Sequence, residues 1–74
     1  MMIQTRLFAT LRESRGKVVA VELPGGATVA DLAGKLAIAR KDIAILLVGG
    51  RDAPFDKALS DGDIVSIFPP VGGG

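Results

Sequence analysis

The chain of 74 residues contains no cysteine and no histidine. Without cysteine there is no disulfide, no thiol nucleophile and no thiolate metal site. Without histidine the commonest general base and the commonest metal ligand are both missing. Charge of neither sign dominates: nine Lys and Arg face eight Asp and Glu, interspersed, for a formal net charge of +1. That excludes the basic stripe a phosphate backbone requires, so nucleic acid is not an expected partner. No apolar run is long enough to span a bilayer, and no charged-then-apolar signal segment opens the chain. A cytoplasmic protein with no membrane partner, no metal site and no stand-alone active site is the resulting expectation.

What is present suffices for one small domain held by packing alone, since 49% of the residues are hydrophobic. From Met2 to Phe8, Ile3, Thr5 and Leu7 alternate with Gln4 and Arg6, which reads as a half-buried strand. Lys17 to Leu23 repeats the pattern as a second strand, ended by Pro24-Gly25-Gly26. Thr28 can cap a helix, with Asp31 three residues on completing a weak capping box. Val29, Leu32, Ala33, Leu36 and Ala37 then form one apolar stripe. On the opposite face Asp31 and Lys35 are spaced as an ion pair, while Gly34 weakens the helix. Ile43 to Val48 is a continuous apolar run, expected as a central strand buried on both faces. Arg51 to Ala53 reads as a short polar edge, and Pro54 to Leu59 as irregular chain anchored by Phe55 and Leu59. Asp63 to Phe68 follows the Asp61-Gly62 turn as the last strand, with Val65 and Ile67 on one side.

This order predicts an α+β fold of β-grasp type: a mixed sheet of four to five strands with one main helix packed across it. The first and last strands lie side by side in the centre, and the tail projects away at the sheet edge. Residues 1–68 are the domain and residues 69–74 a flexible C-terminal tail. Pro69 and Pro70 have no backbone N–H and fixed φ, so the strand must stop there. Val71, Gly72, Gly73 and Gly74 follow. Glycine has no Cβ, so the end of the tail can enter a slot too narrow for a side chain. Its only chemical group is the α-carboxylate of Gly74, ordinarily ionised at neutral pH. The pattern points to an arm that presents a carboxylate to another protein's active site.

Other residues read more plainly. Phe8 and Phe55 are expected in the core, whereas Phe68 either closes the core or belongs to a docking patch. Arg12 and Glu13 read as solvated loop charges. Arg51 beside Asp52 reads as an edge-strand solubility device. Asp61 and Asp63 sit at a turn, where aspartate serves backbone hydrogen bonds rather than a metal. Gly25-Gly26 and Gly49-Gly50 lack the Lys-Ser/Thr of a phosphate loop.

Three stretches carry a family resemblance that covers essentially the whole chain. They are Phe8-Ala9-Thr10-Leu11-Arg12-Glu13, Thr28-Val29-Ala30-Asp31-Leu32, and Leu59-Ser60-Asp61-Gly62-Asp63-Ile64-Val65 running into Phe68-Pro69-Pro70-Val71-Gly72-Gly73-Gly74. Together they resemble the MoaD/ThiS-like ubiquitin-like sulfur carriers, above all the small subunit of molybdopterin synthase. The resemblance implies that a partner adenylyltransferase, similar to ubiquitin-activating enzymes, uses ATP to adenylate Gly74. A sulfur donor such as a cysteine desulfurase or rhodanese-like protein then converts it to a thiocarboxylate. The large subunit of molybdopterin synthase would receive the sulfur for molybdenum cofactor biosynthesis. Gly72 and Gly73 would be read as the thin tail, Phe68, Pro69, Pro70 and Val71 would dock partners, and the chain itself would bind no cofactor. A thiamine or other thiocarboxylate pathway, a ubiquitin-like protein modifier and a plain binding module are the alternatives.

Overall fold

The computed structural model describes residues 1–70. Six elements carry the fold: strand β1 (Met2–Leu7), β2 (Val18–Glu22), helix α1 (Val29–Lys35), β3 (Ile45–Val48), β4 (Arg51–Asp52) and β5 (Ile64–Phe68). The five strands form one mixed sheet in the order β2-β1-β5-β3-β4. Only β1 and β5 run parallel, with Thr5 opposite Val65 and Leu7 opposite Ile67. The other neighbours are antiparallel. This is the β-grasp arrangement expected from the order of elements, with the first and last strands adjacent. The tail departs from the end of the central strand β5 rather than from an edge strand.

Alternation in the strands decides which face meets the helix. Ile3 and Leu7 of β1, Val21 of β2, Leu46 and Val48 of β3 and Val65 and Ile67 of β5 are buried on that face, together with Val29 and Leu32 from α1. Leu11, Leu23, Ala27, Ile38 and Leu59 from the connections close the core. Such burial, at roughly 25 cal/mol per Å² of apolar surface, is the main source of stability in a chain without staples. Gly49 and Gly50, at φ 59° and 81°, join β3 to β4 through a two-residue turn. Both positions need the left-handed region that lets a tight hairpin match the strand twist, which is why both are glycine.

Three expectations need correction. The Ile43–Val48 run is not a central strand buried on both faces. Its regular part starts at Ile45, it pairs between β5 and the two-residue β4, and Ile45 is exposed. The helix covers only one side of the sheet. Asp31 does not pair with Lys35, because its carboxylate is already used: Oδ2 accepts the Thr28 N–H at 2.8 Å and the Thr28 hydroxyl at 3.2 Å. The Thr28 hydroxyl oxygen accepts the Asp31 N–H in return, so both arms of the capping box form. Finally, Ala37 does not extend the helical stripe. It takes φ 58°, and Ile38 enters the core in its place.

The helix stops at Ala37 by a Schellman arrangement. The Ala37 N–H donates to the Gly34 carbonyl at 3.1 Å and the Ile38 N–H to the Ala33 carbonyl at 2.9 Å. Arg15 reinforces this end, its guanidinium reaching the Leu36 carbonyl at 3.2 Å and the Ala37 carbonyl at 3.3 Å. The residue in the left-handed position is ordinarily glycine, and an L residue there is strained by about 1 kcal/mol or more. Ala37→Gly is therefore expected to stabilise the domain by about 0.5–1 kcal/mol, less what glycine loses in the unfolded chain. An unchanged or lowered urea midpoint would contradict the assignment.

The core holds one polar oddity. Thr5, opposite Val19 and Val65, is fully buried, and its Oγ1 has no hydrogen-bond partner. A buried, unpaired hydroxyl costs about 1–3 kcal/mol relative to an apolar group of the same shape. Thr5→Val should raise the unfolding free energy by about 1 kcal/mol, read as a higher urea midpoint at constant m-value.

Candidate tail root and docking face

The parallel register of β1 and β5 builds the site. Leu7 and Ile67 are partners and both point into the core. One residue further on, each strand presents its side chain on the opposite face, so Phe8 and Phe68 meet there. Their rings stack with centroids 4.1 Å apart and planes 12° from parallel. Both are half-buried, and neither packs against the core cluster. Phe68 thus does not close the core, and Phe8, expected inside, lies outside it. Phe55 does pack against the core, with Arg40 over its ring at 4.2 Å.

The chain bends sharply after Phe8. Ala9 sits at φ 52°, and a short 3-10 turn over Ala9–Arg12 brings the Arg12 side chain back. Its Nε donates to the Leu7 carbonyl at 2.8 Å, and its guanidinium carbon lies 5.4 Å from the centre of the Phe8 ring. Arg12 is therefore not a freely solvated charge: it lies over the Phe8 ring, a cation–π contact of about 0.5–1 kcal/mol at an exposed site. Glu13 beside it is exposed. From the other side, the Phe68 carbonyl accepts the Ala44 N–H at 2.8 Å. The last strand residue is held by its ring and by its backbone. Pro69, half-buried, and Pro70, exposed, leave from this fixed point. Val71, Gly72, Gly73 and Gly74 lie outside the described residues.

Around this root spreads the face of the sheet that α1 does not cover. The large apolar residues exposed among the described residues are Val18 (56%), Ile45 (49%), Met2 (46%) and Ile64 (39%). Register places all four on this face, Met2 opposite Glu22, Val18 opposite Arg6, Ile64 opposite Gln4 and Ile45 opposite Phe68. An apolar surface gathered on one side and rimmed by polar groups is the form of a protein docking site. Of these residues only Phe68 was singled out from the sequence. The signal for Phe8, Ile45 and Ile64 was present in the two-residue alternation, but using it required knowing that the helix covers one face only.

The remaining chemistry is sparse. Asp61 Oδ1 accepts the Met2 N–H at 2.7 Å and Asp63 Oδ2 accepts the Ser60 N–H at 2.8 Å, so Asp61 ties the turn to the start of β1 and Asp63 closes the turn itself. Among the described residues no group of three potential metal ligands comes together, and no helix is long and apolar enough to cross a membrane. A shallow depression of about 400 Å³ on the helix side is lined by Thr28, Arg40, Phe55 and Asp56, and its one hydroxyl, that of Thr28, is committed to the capping box with Asp31. The described residues can present and dock a terminus. They carry no assembled acid–base pair.

Comparison with known proteins fits this geometry. The ThiS family model matches residues 5–74. SAMP1 from Haloferax volcanii, also described as small archaeal modifier protein 1, is 30% identical over the whole of both chains, with a TM-score of 0.80. A Pyrococcus furiosus protein described as molybdopterin converting factor, subunit 1, is 30% identical over 96% of this chain and 99% of its own, also at 0.80. At 20% identity over both full lengths and a TM-score of 0.68, subunit 1 of the Helicobacter pylori molybdopterin-converting factor, solved in complex with subunit 2, shares the fold.

If the Phe8 ring is surface furniture of the tail root, Phe8→Ala should destabilise by only about 0.5–1.5 kcal/mol, the worth of one aromatic pair. A core phenylalanine would lose about 3–5 kcal/mol. Equilibrium urea unfolding separates the two, and a loss in the higher range would place Phe8 in the core.

Proposed function

Because the chain belongs to the ThiS family of ubiquitin-like sulfur carriers, we propose that its Gly74 carboxylate is adenylated and converted to a thiocarboxylate that supplies sulfur for molybdopterin. The receiving partner is the large subunit of a molybdopterin synthase. The observation that carries this reading is the Phe8–Phe68 stack, which roots a Pro-Pro-Val-Gly-Gly-Gly tail at one end of the open face of the sheet. The likeness to the Pyrococcus furiosus subunit favours the molybdopterin branch over a thiamine pathway.

The chemistry follows from the tail's end group. A carboxylate is a poor electrophile, so an oxygen of Gly74 must first attack the α-phosphorus of ATP in the activating enzyme, releasing pyrophosphate. The terminal sulfur of a donor persulfide then attacks the carbonyl carbon, and AMP departs with the bonding electrons. A partner thiol cleaves the S–S bond of the resulting acyl disulfide, leaving the thiocarboxylate on Gly74 and a disulfide on the donor. The product is a soft nucleophile suited to sulfur delivery. ATP is used by the adenylyltransferase, and this chain holds no cofactor. Val71 and the glycines provide reach, Gly72 and Gly73 pass where no Cβ fits, and Phe68, Pro69 and Pro70 set the exit. With no histidine and no cysteine in the sequence, the acid–base groups of every step come from the partners.

A second reading is favoured by the likeness to SAMP1: Gly74 would be joined to lysines of other proteins as a modifier. Both readings share the adenylation step. Intact mass of the protein from its native host, with the tail fragment sequenced, tests them. We expect a mass gain equal to one oxygen exchanged for sulfur, mapped to Gly74, and sulfur transfer to precursor when this form meets the large subunit. Gly74 found only in isopeptide linkage would transfer the assignment to the modifier. A tail that no activating enzyme of the host adenylates would remove both.

A further inference from the structure

Basic and acidic residues are mixed along the sequence, but the fold sorts them. β1 and β5 end together at Leu7 and Phe68, where the tail begins. Arg6 and Lys17 stand at this end, and the Lys17 carbonyl accepts the Leu7 N–H at 2.9 Å. Arg12 and Arg15 follow in the turn after β1, and Arg15 ties that turn to the helix end at Leu36 and Ala37. Lys35, in the last turn of the helix, is thereby brought to the same end. Arg40 and Lys41 arrive with the turn just before Ala44, whose N–H reaches the Phe68 carbonyl. All of these except Arg15 are exposed. Seven of the nine basic residues thus surround the tail root with only two of the eight acids, Glu13 and Asp42, a surplus of five positive charges. The other six acids, with Arg51 and Lys57, leave a surplus of four negative charges elsewhere and restore the net +1. Glu22, Asp61 and Asp63 lie where β1 and β5 begin. That is five residues from Leu7, about 17 Å at strand rise and beyond a Debye length of about 8–10 Å, so the two ends do not neutralise each other.

The six residues after Phe68 can span at most about 20 Å, so a protein that draws Gly74 into its active site brings its own surface against this collar. Covering the collar with a basic surface adds repulsion, and covering it with an apolar one strips water from charges left unpaired. Carboxylates opposite the collar offset both. A surplus confined to one end also orients the molecule on approach, and such steering raises association rates by about 10–10³-fold. Resting on the carrier reading, which names the large synthase subunit as receiver of the tail, we infer that the basic collar is the docking and steering surface for that subunit. The complementary surface is a rim of Asp and Glu carboxylates around the slot that takes the tail.

The experiment is the association rate of the full chain with the host's large subunit, followed by stopped-flow fluorescence over a range of salt. Two double variants carry the same change in net charge: Lys17→Glu with Lys41→Glu in the collar, and Arg51→Glu with Lys57→Glu outside it. All four positions are exposed, and matching urea midpoints establish that both variants are folded. The wild-type rate should fall steadily as salt rises. At low salt the collar variant should associate about tenfold or more slowly, the outer variant within about twofold of wild type, and the difference should close at high salt. A wild-type rate independent of salt, or equal slowing by both variants, overturns the inference while binding itself leaves the carrier reading intact. The inference is also overturned if the chain binds an RNA oligonucleotide through the collar while the large subunit associates without salt dependence. A wild-type chain that does not bind the large subunit at any salt overturns the carrier reading, and the inference falls with it.

Discussion

The structure depends on one contact between distant parts of the chain, the parallel pairing of β1 with β5. It sets the first strand beside the last at the centre of the sheet and fixes their register at Leu7 and Ile67. Parallel neighbours cannot be joined by a tight hairpin, so the intervening chain must cross over, and α1 is what it crosses with. The crossing covers one face of the sheet, leaving the other open. The same register that places Leu7 and Ile67 in the core brings Phe8 and Phe68 together on the open side. Core and docking face are thus two consequences of a single alignment.

That alignment also explains how a tail of minimal side chains can be aimed. Glycine residues carry no directional information of their own, and ordering them is entropically unfavourable. Direction must come from the last rigid point. Here that point is Phe68, held through its ring by Phe8, itself covered by Arg12, and through its carbonyl by Ala44. Two prolines then restrict the chain before the glycines begin. A rigid root and two prolines thus fix where the chain leaves the domain.

Most of the elements were legible in the sequence because their signals are local. The alternation of Ile3, Thr5 and Leu7, the Thr28–Asp31 cap and the Asp61-Gly62 turn each depend on neighbours a few residues away. The misreadings all concern competition between local and distant partners. Lys35 is spaced for Asp31, but the Thr28 backbone takes the carboxylate first. Ala37 fits a helical period, yet Ile38 gains more by entering the core, and the chain accepts φ 58° to place it there. Ile45 lies in the Ile43–Val48 run, which reads as doubly buried, but one helix of seven residues covers a single face. Thr5 was assigned to the correct face, while nothing in the sequence indicated that its hydroxyl would find no partner.

By itself the sequence limited the chemistry, since without cysteine or histidine it offers no thiol nucleophile and no imidazole base. It also determined the β-grasp order, because periodicity and turn residues are properties of short segments. The tertiary structure decided which apolar residues remain outside. Phe8, Phe68, Ile45 and Ile64 are as hydrophobic as those in the core, and composition cannot sort them. Only the register of strands far apart in the chain, together with a helix too short to cover both faces, assigns them to the surface.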